Sequence, residues 1–138
     1  MESKIYTLTS GKTVSGMAEA IARMLTNEEN MTAQVLTADD GTKIVQGRGE
    51  DSTFLKFCGL NNSITVRIIP LSETSAQVEI GYGKWLEKAT TAATGFILLG
   101  PLFLVSHAIG AAKQLMLPGT ITGTIEKYLA QAPAKLAV

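Results

Sequence analysis

Few residues in this chain are of types that do chemistry, and fewer are spaced for it. Ser10-Gly11-Lys12-Thr13 carries the closing residues of a phosphate-binding loop, in which backbone N–H groups cradle phosphates and the lysine reaches the terminal ones. That motif requires a glycine five residues before its Gly-Lys pair, and the residue there is Tyr6. No apolar run ending in aspartate follows to hold magnesium. The segment therefore reads as the cap of a helix, with Ser10 or Thr13 supplying the capping oxygen, and Lys12 is not expected to contact a nucleotide.

Cys58 is the single cysteine, so neither an intrachain disulfide nor a cysteine-based zinc site can form within one chain. It lies in Phe54-Leu55-Lys56-Phe57-Cys58 and reads as a small buried hydrophobe. His107 is the single histidine, and no carboxylate lies within fifteen residues of it. Its near-neutral titration would make it a proton-sensitive group in an apolar setting; the plainer reading is a polar residue facing a helix partner or an interface. One histidine and one cysteine make neither a triad nor a metal set. Asp39-Asp40 and Glu50-Asp51 fall in turns, where solvated charge is ordinary. No catalytic, cofactor-binding or metal-binding residue is assigned, and the chain is expected not to be an enzyme.

The elements that would position any site come next. The 138 residues match one domain and suffice for a real core. Net charge is zero, and the three arginines, Arg23, Arg48 and Arg67, are far apart, so the basic stripe that phosphate neutralisation demands is missing. Nucleic acid is not an expected partner. Met1 to Tyr6 lack a charged region followed by an apolar one, which makes a cytosolic origin the default.

Ile5–Leu8 reads as a first strand. Val14, Met17, Ala18, Ile21, Met24 and Leu25 form one apolar stripe at helical spacing, predicting a helix over 13–26 with Ser15, Glu19 and Arg23 outward. Thr32–Thr37 alternates, Asp39-Asp40-Gly41 makes a turn, and Lys43–Arg48 returns as the second arm of a hairpin. Ile64–Ile69, stopped by Pro70, and Gln77–Gly81 complete the strands. Phe54, Leu55, Phe57 and Leu60 form an apolar knot between the pairs. The expected fold is α+β: an N-terminal helix on a four- or five-stranded antiparallel meander sheet. A long kinked apolar helix or helical hairpin follows, and then a short C-terminal helix over 121–129. The expected divisions are 1–83 as an α+β unit able to fold without the long segment, 84–117 as the apolar segment, and 118–138 as the last helix and tail.

The unusual feature is Ala89–Ala112, which contains no charge over 24 residues. As a straight helix it would cover roughly 36 Å, against a hydrocarbon core of about 30 Å. Lys84, Lys88 and Lys113 flank it, and Trp85 stands at one end like an interfacial anchor. Gly100-Pro101 interrupts its middle. Small residues recur at a spacing of four: Ala89/Ala93, Thr91/Gly95, Ser106/Gly110 and Ala108/Ala112. That spacing lets helix backbones approach. Gly81-Tyr82-Gly83-Lys84-Trp85 reads as an elbow from the last strand into the segment.

Gly83-Lys84-Trp85-Leu86-Glu87-Lys88-Ala89, the Gly-rich run with Pro101-Leu102, then Gly110-Ala111-Ala112-Lys113-Gln114 and Leu117-Pro118 together resemble the second half of a type of uncharacterised small bacterial protein. In that type a helix-plus-strands domain precedes the same apolar segment and a short terminal helix. The resemblance implies a membrane-type or assembly-type segment joined to a small α+β domain, and implies no activity.

The first reading is thus a non-enzymatic, membrane-associated, self-associating protein with its α+β part on the cytoplasmic side. Its partners would be membrane lipids and further copies of itself. The membrane or oligomer interface would comprise Trp85, Thr91, Gly95, Phe96, Leu98, Leu99, Gly100, Pro101, Leu102, Phe103, Leu104, Ser106, His107 and Gly110. The second reading is a soluble cytoplasmic homo-oligomer whose apolar helices pack between subunits or hold a hydrophobic ligand. An unrecognised enzyme is the third.

Overall fold

The computed structural model describes residues 2–9, 11–49, 62–87 and 111–131. They form an α+β fold with one antiparallel sheet. The strands are β1 (Glu2–Thr7), β2 (Thr32–Thr37), β3 (Lys43–Arg48), β4 (Asn62–Ser72) and β5 (Ser75–Lys84). The helices are α1 (Val14–Asn27) and α2 (Ala111–Ala130). Strands β2 to β5 are sequential neighbours, the expected meander, and β1 lies beyond β5 in the order β1-β5-β4-β3-β2. Joining β1 at one edge to β2 at the other carries α1 across the sheet.

Strand alternation separates two faces. Val45, Val66 and Ile80 lie in one cross-strand row, and Ile68 and Val78 pair in the next. These apolar residues meet the stripe of α1: Met17, Ala18, Ile21, Met24 and Leu25 are all buried in the same core. Thr13 is the N-cap, its hydroxyl accepting from the Gly16 N–H at 2.9 Å. The helix ends where Asn30 takes a φ of 57°, a left-handed conformation asparagine tolerates, and the Met31 N–H donates back to the Leu25 carbonyl at 3.0 Å. Gly47 in β3 lies against Leu25: a Cβ there would stand 2.9 Å from Leu25 Cδ1, so the missing side chain lets the helix settle onto the strand.

The β2–β3 turn holds as the sequence implies. Asp40 Oδ1 accepts from the Thr42 N–H at 3.0 Å, and that bond holds the Asp40 carboxyl below its usual range. Stability from this exposed carboxylate is present above its ordinary pKa and is lost as pH falls through the lowered one.

Several boundaries differ from expectation: β1 is Glu2–Thr7 and not Ile5–Leu8, and β4 and β5 each begin two residues early, at Asn62 and Ser75. Strand β4 does not stop at Pro70 but continues to Ser72, with an irregular register between Pro70 and Ser72. Proline is accepted there because the ladder is already broken beside the hairpin. Strand β5 runs on to Lys84, so the glycines of the expected elbow, Gly81 and Gly83, are strand residues. The C-terminal helix is not short: α2 has 20 residues and passes through Pro118. An interior proline costs about 3 kcal/mol. Leu117, Ile121 and Ile125, one turn apart, are all buried against the α1 core, and that burial offsets the break.

Helix α2 is therefore part of the main core and not an appendage. Its C-terminal end reaches the start of α1. Thr9 Oγ1 donates to the Leu129 carbonyl at 2.9 Å, the Thr13 N–H donates to the Tyr128 hydroxyl at 3.2 Å, and Lys4 pairs with Glu126 at 3.6 Å. The expected apolar segment 84–117 is not one helix: Lys84 ends β5, residues 85–87 are not helical, and 111–117 belong to α2. Its residues 88–110, including Gly100-Pro101, and the apolar knot Phe54–Leu60 lie outside the described residues.

Candidate functional site

The second face of the sheet is the unusual one. On β3 and β4 it carries Gln46, Ser63 and Thr65, all fully buried, and between β4 and β5 the ion pair Arg67–Glu79 at 3.2 Å. Buried polar side chains are costly unless satisfied, so their partners identify what this face holds. They hold the chain itself. From Lys84, the last residue of β5, the backbone of Trp85 and Leu86 turns back over the sheet.

Gln46 is the centre of this arrangement. Its Nε2 donates to the Lys84 carbonyl at 2.7 Å and to Thr65 Oγ1 at 3.2 Å. Its Oε1 accepts from the Leu86 N–H at 2.9 Å and from Gln34 Nε2 at 2.8 Å. All four hydrogen-bonding positions of the amide are used. Gln34 donates its second proton to the Leu86 carbonyl at 2.8 Å. Two glutamines thus bind one stretch of backbone as a neighbouring strand would. Ser63 Oγ extends the network to the Gly83 carbonyl at 3.3 Å. Gly81 and Gly83 sit on this face opposite Thr65 and Ser63 and place no side chain over β5.

Two apolar contacts complete the clamp. Leu86 is buried with Ala38 and Ile44, with Leu36 packed alongside. The Arg48 guanidinium lies over the Trp85 ring, 4.6 Å from its centroid. The Ser63 and Thr65 hydroxyls are taken up in hydrogen bonds to each other and to the chain, and the arrangement fixes the direction in which the chain leaves the sheet.

Of the residues singled out from sequence, Trp85 is brought into this clamp. Thr91, Gly95, Phe96, Leu98, Leu99, Gly100, Pro101, Leu102, Phe103, Leu104, Ser106, His107 and Gly110 lie outside the described residues, as does Cys58. Lys12 is engaged elsewhere: its ammonium lies over the Tyr128 ring, 4.8 Å from the centroid. Lys12→Ala is expected to leave the response of the thermal midpoint to ATP or GTP the same as in the parent. A nucleotide-dependent stabilisation that disappears in the variant would make Lys12 a phosphate ligand after all.

Gln34, Gln46, Ser63, Thr65 and Arg48 were not singled out by residue type. The one signal was Gln46 itself, a polar residue following Ile44-Val45 in a strand with neighbours on both sides. Among the described residues no group of acidic, histidine or cysteine side chains is arranged to hold a metal ion, and no helix is long and apolar enough to cross a membrane. No protein family, no curated protein and no solved structure matches this chain.

Proposed function

We propose that this chain is a non-enzymatic, membrane-associated, self-associating protein whose α+β body offers the uncharged segment Ala89–Ala112 to a bilayer from one side, the cytoplasmic one. The observation that carries this reading is that both flanks of the segment belong to one body. Lys84 and Leu86 are held by Gln46 and Gln34 on the second face of the sheet, and Leu117 to Leu129 pack with α1 on the first.

A single crossing would leave its two ends on opposite sides of a hydrocarbon layer about 30 Å thick. One folded body cannot occupy both sides. Two helical passes of about 12 residues would reach roughly 18 Å each, too short to cross. Entry and exit on the same side fit such a body, with Trp85, its ring under the Arg48 guanidinium, at the surface.

Cysteines placed at Thr90 and Gly110 in a Cys58→Ser background test the reading. Both are expected to label from the side that carries the body, in protein that sediments with membranes. Labelling from opposite sides would overturn one-sided entry. Free labelling of both in detergent-free soluble protein would replace the membrane with a soluble homo-oligomer whose apolar segments pack between subunits. Leu104→Arg supplies the second arm: a central charge costs roughly 2.5–3.5 kcal/mol on insertion, and the body should then appear, folded, in the soluble fraction.

A further inference from the structure

A cleft of about 490 Å³ opens between α1 and α2, on the helix layer, away from the clamp. It lies along the antiparallel helix pair beyond the close contact of Gly16 with Tyr128. Small side chains keep it open. Ala20 lines it from α1, and Gly123 lines it from α2 with nothing within 4 Å of where a Cβ would stand.

Its polar lining is rich in donors. Arg23 and Asn27 come from α1, and Lys127 and Gln131 come from the end of α2. The one acidic residue of the lining is Glu28. Each helix contributes a cation to this lining, Arg23 from α1 and Lys127 from α2. Neither Arg23 nor Lys127 forms an ion pair or hydrogen bond among the described residues. Lys127 stands in the last turn of α2, where the helix dipole already favours a cation. Arg23 lies a turn before the end of α1 and has no such reason.

We propose that this cleft binds a phosphate-bearing anion, held by Arg23 and Lys127. A guanidinium fork and a mobile ammonium are the side chains that recognise phosphate oxygens. The volume exceeds that of the ion alone, so the fitting ligand is a small phosphate ester, either free or as the headgroup of a lipid. The proposal does not depend on membrane entry by the apolar segment, because a free ester reads the cleft without a bilayer.

The test uses the full chain, titrated with glycerol phosphate at constant ionic strength and followed by the thermal midpoint and by NMR shifts. Saturable binding is expected. It should weaken by about tenfold or more in the Arg23→Gln, Lys127→Gln double variant, as loss of charged hydrogen bonds requires, and tighten in Glu28→Gln. Both positions are exposed, so the variants should melt as the parent does without ligand. A response matched by chloride, or unchanged in the double variant, would overturn the proposal. Vesicles of phosphatidylglycerol and of phosphatidylcholine then separate the sources. If the double variant loses affinity for the anionic vesicles alone, the ligand is a headgroup. If vesicle binding is unchanged while glycerol phosphate binding is lost, the ligand is a soluble ester.

Discussion

Gln46→Ala is expected to lower the unfolding free energy of the full chain by about 3 kcal/mol, with the emission of Trp85 shifted to longer wavelength. The size follows from what the substitution strands. Lys84 carbonyl, Leu86 N–H, Thr65 hydroxyl and Gln34 amide each lose a partner at 3.2 Å or less. A buried group left unsatisfied costs about 1–3 kcal/mol, and water entering the cavity recovers part of the total. Because Trp85 is the single tryptophan, its emission reports the clamp directly. Gln34→Ala, which removes one bond to Leu86 and one to Gln46, should cost about 1 kcal/mol. Urea unfolding of both variants checks the order. If Gln46→Ala costs no more than Gln34→Ala and Trp85 emission is unchanged, residues 84–86 are not held by this amide.

Gly16→Ala should destabilise the protein by about 2 kcal/mol although it improves the helix. In an exposed helical position the change gains about 1 kcal/mol. At this position a Cβ would overlap the Tyr128 hydroxyl and stand 2.8 Å from its ring carbon Cζ. Tyr128 is fixed from three directions, by the Thr13 N–H, by Lys12 over its ring and by its own helix, so α2 must shift to make room. Overpacking of this kind costs about 1–3 kcal/mol. The same substitution in a Tyr128→Leu background should reverse sign and stabilise, because the clash is gone and the helical gain remains. Thermal melts of the four proteins form a double-mutant cycle. Additive effects would mean that the Gly16–Tyr128 contact does not hold α2 to α1.

The parts of the fold that were legible are those specified locally. The apolar stripe from Val14 to Leu25 and the cap at Thr13 gave α1 within a residue at each end. Asp39-Asp40-Gly41 between two alternating runs gave β2 and β3 with their observed limits. Pro70 and Pro118 misled for one reason. Pro70 was read as the end of a strand and Pro118 as lying before the last helix, and each is tolerated inside its element because of something distant in sequence: the broken ladder beside β5, and the core that receives Leu117 and Ile121. The clamp was illegible for the same reason in stronger form. Gln34 and Gln46 are unremarkable residue types, and their partners are backbone groups 52 and 38 positions away. Trp85 stood out by residue type, whereas its Arg48 partner did not, since only the strand order brings them together.

The two tethers also change how the length of the intervening chain matters. With Leu86 fixed on one face and α2, from Ala111, anchored through Leu117 in the core behind the other, the chain between them has both ends held by one fold. Holding both ends together costs entropy only as the logarithm of length, about 0.6 kcal/mol for each doubling. Four residues added or removed between them alter that cost very little. The body is thus indifferent to how many residues join the two tethers, and that number is left to be set by whatever they must reach.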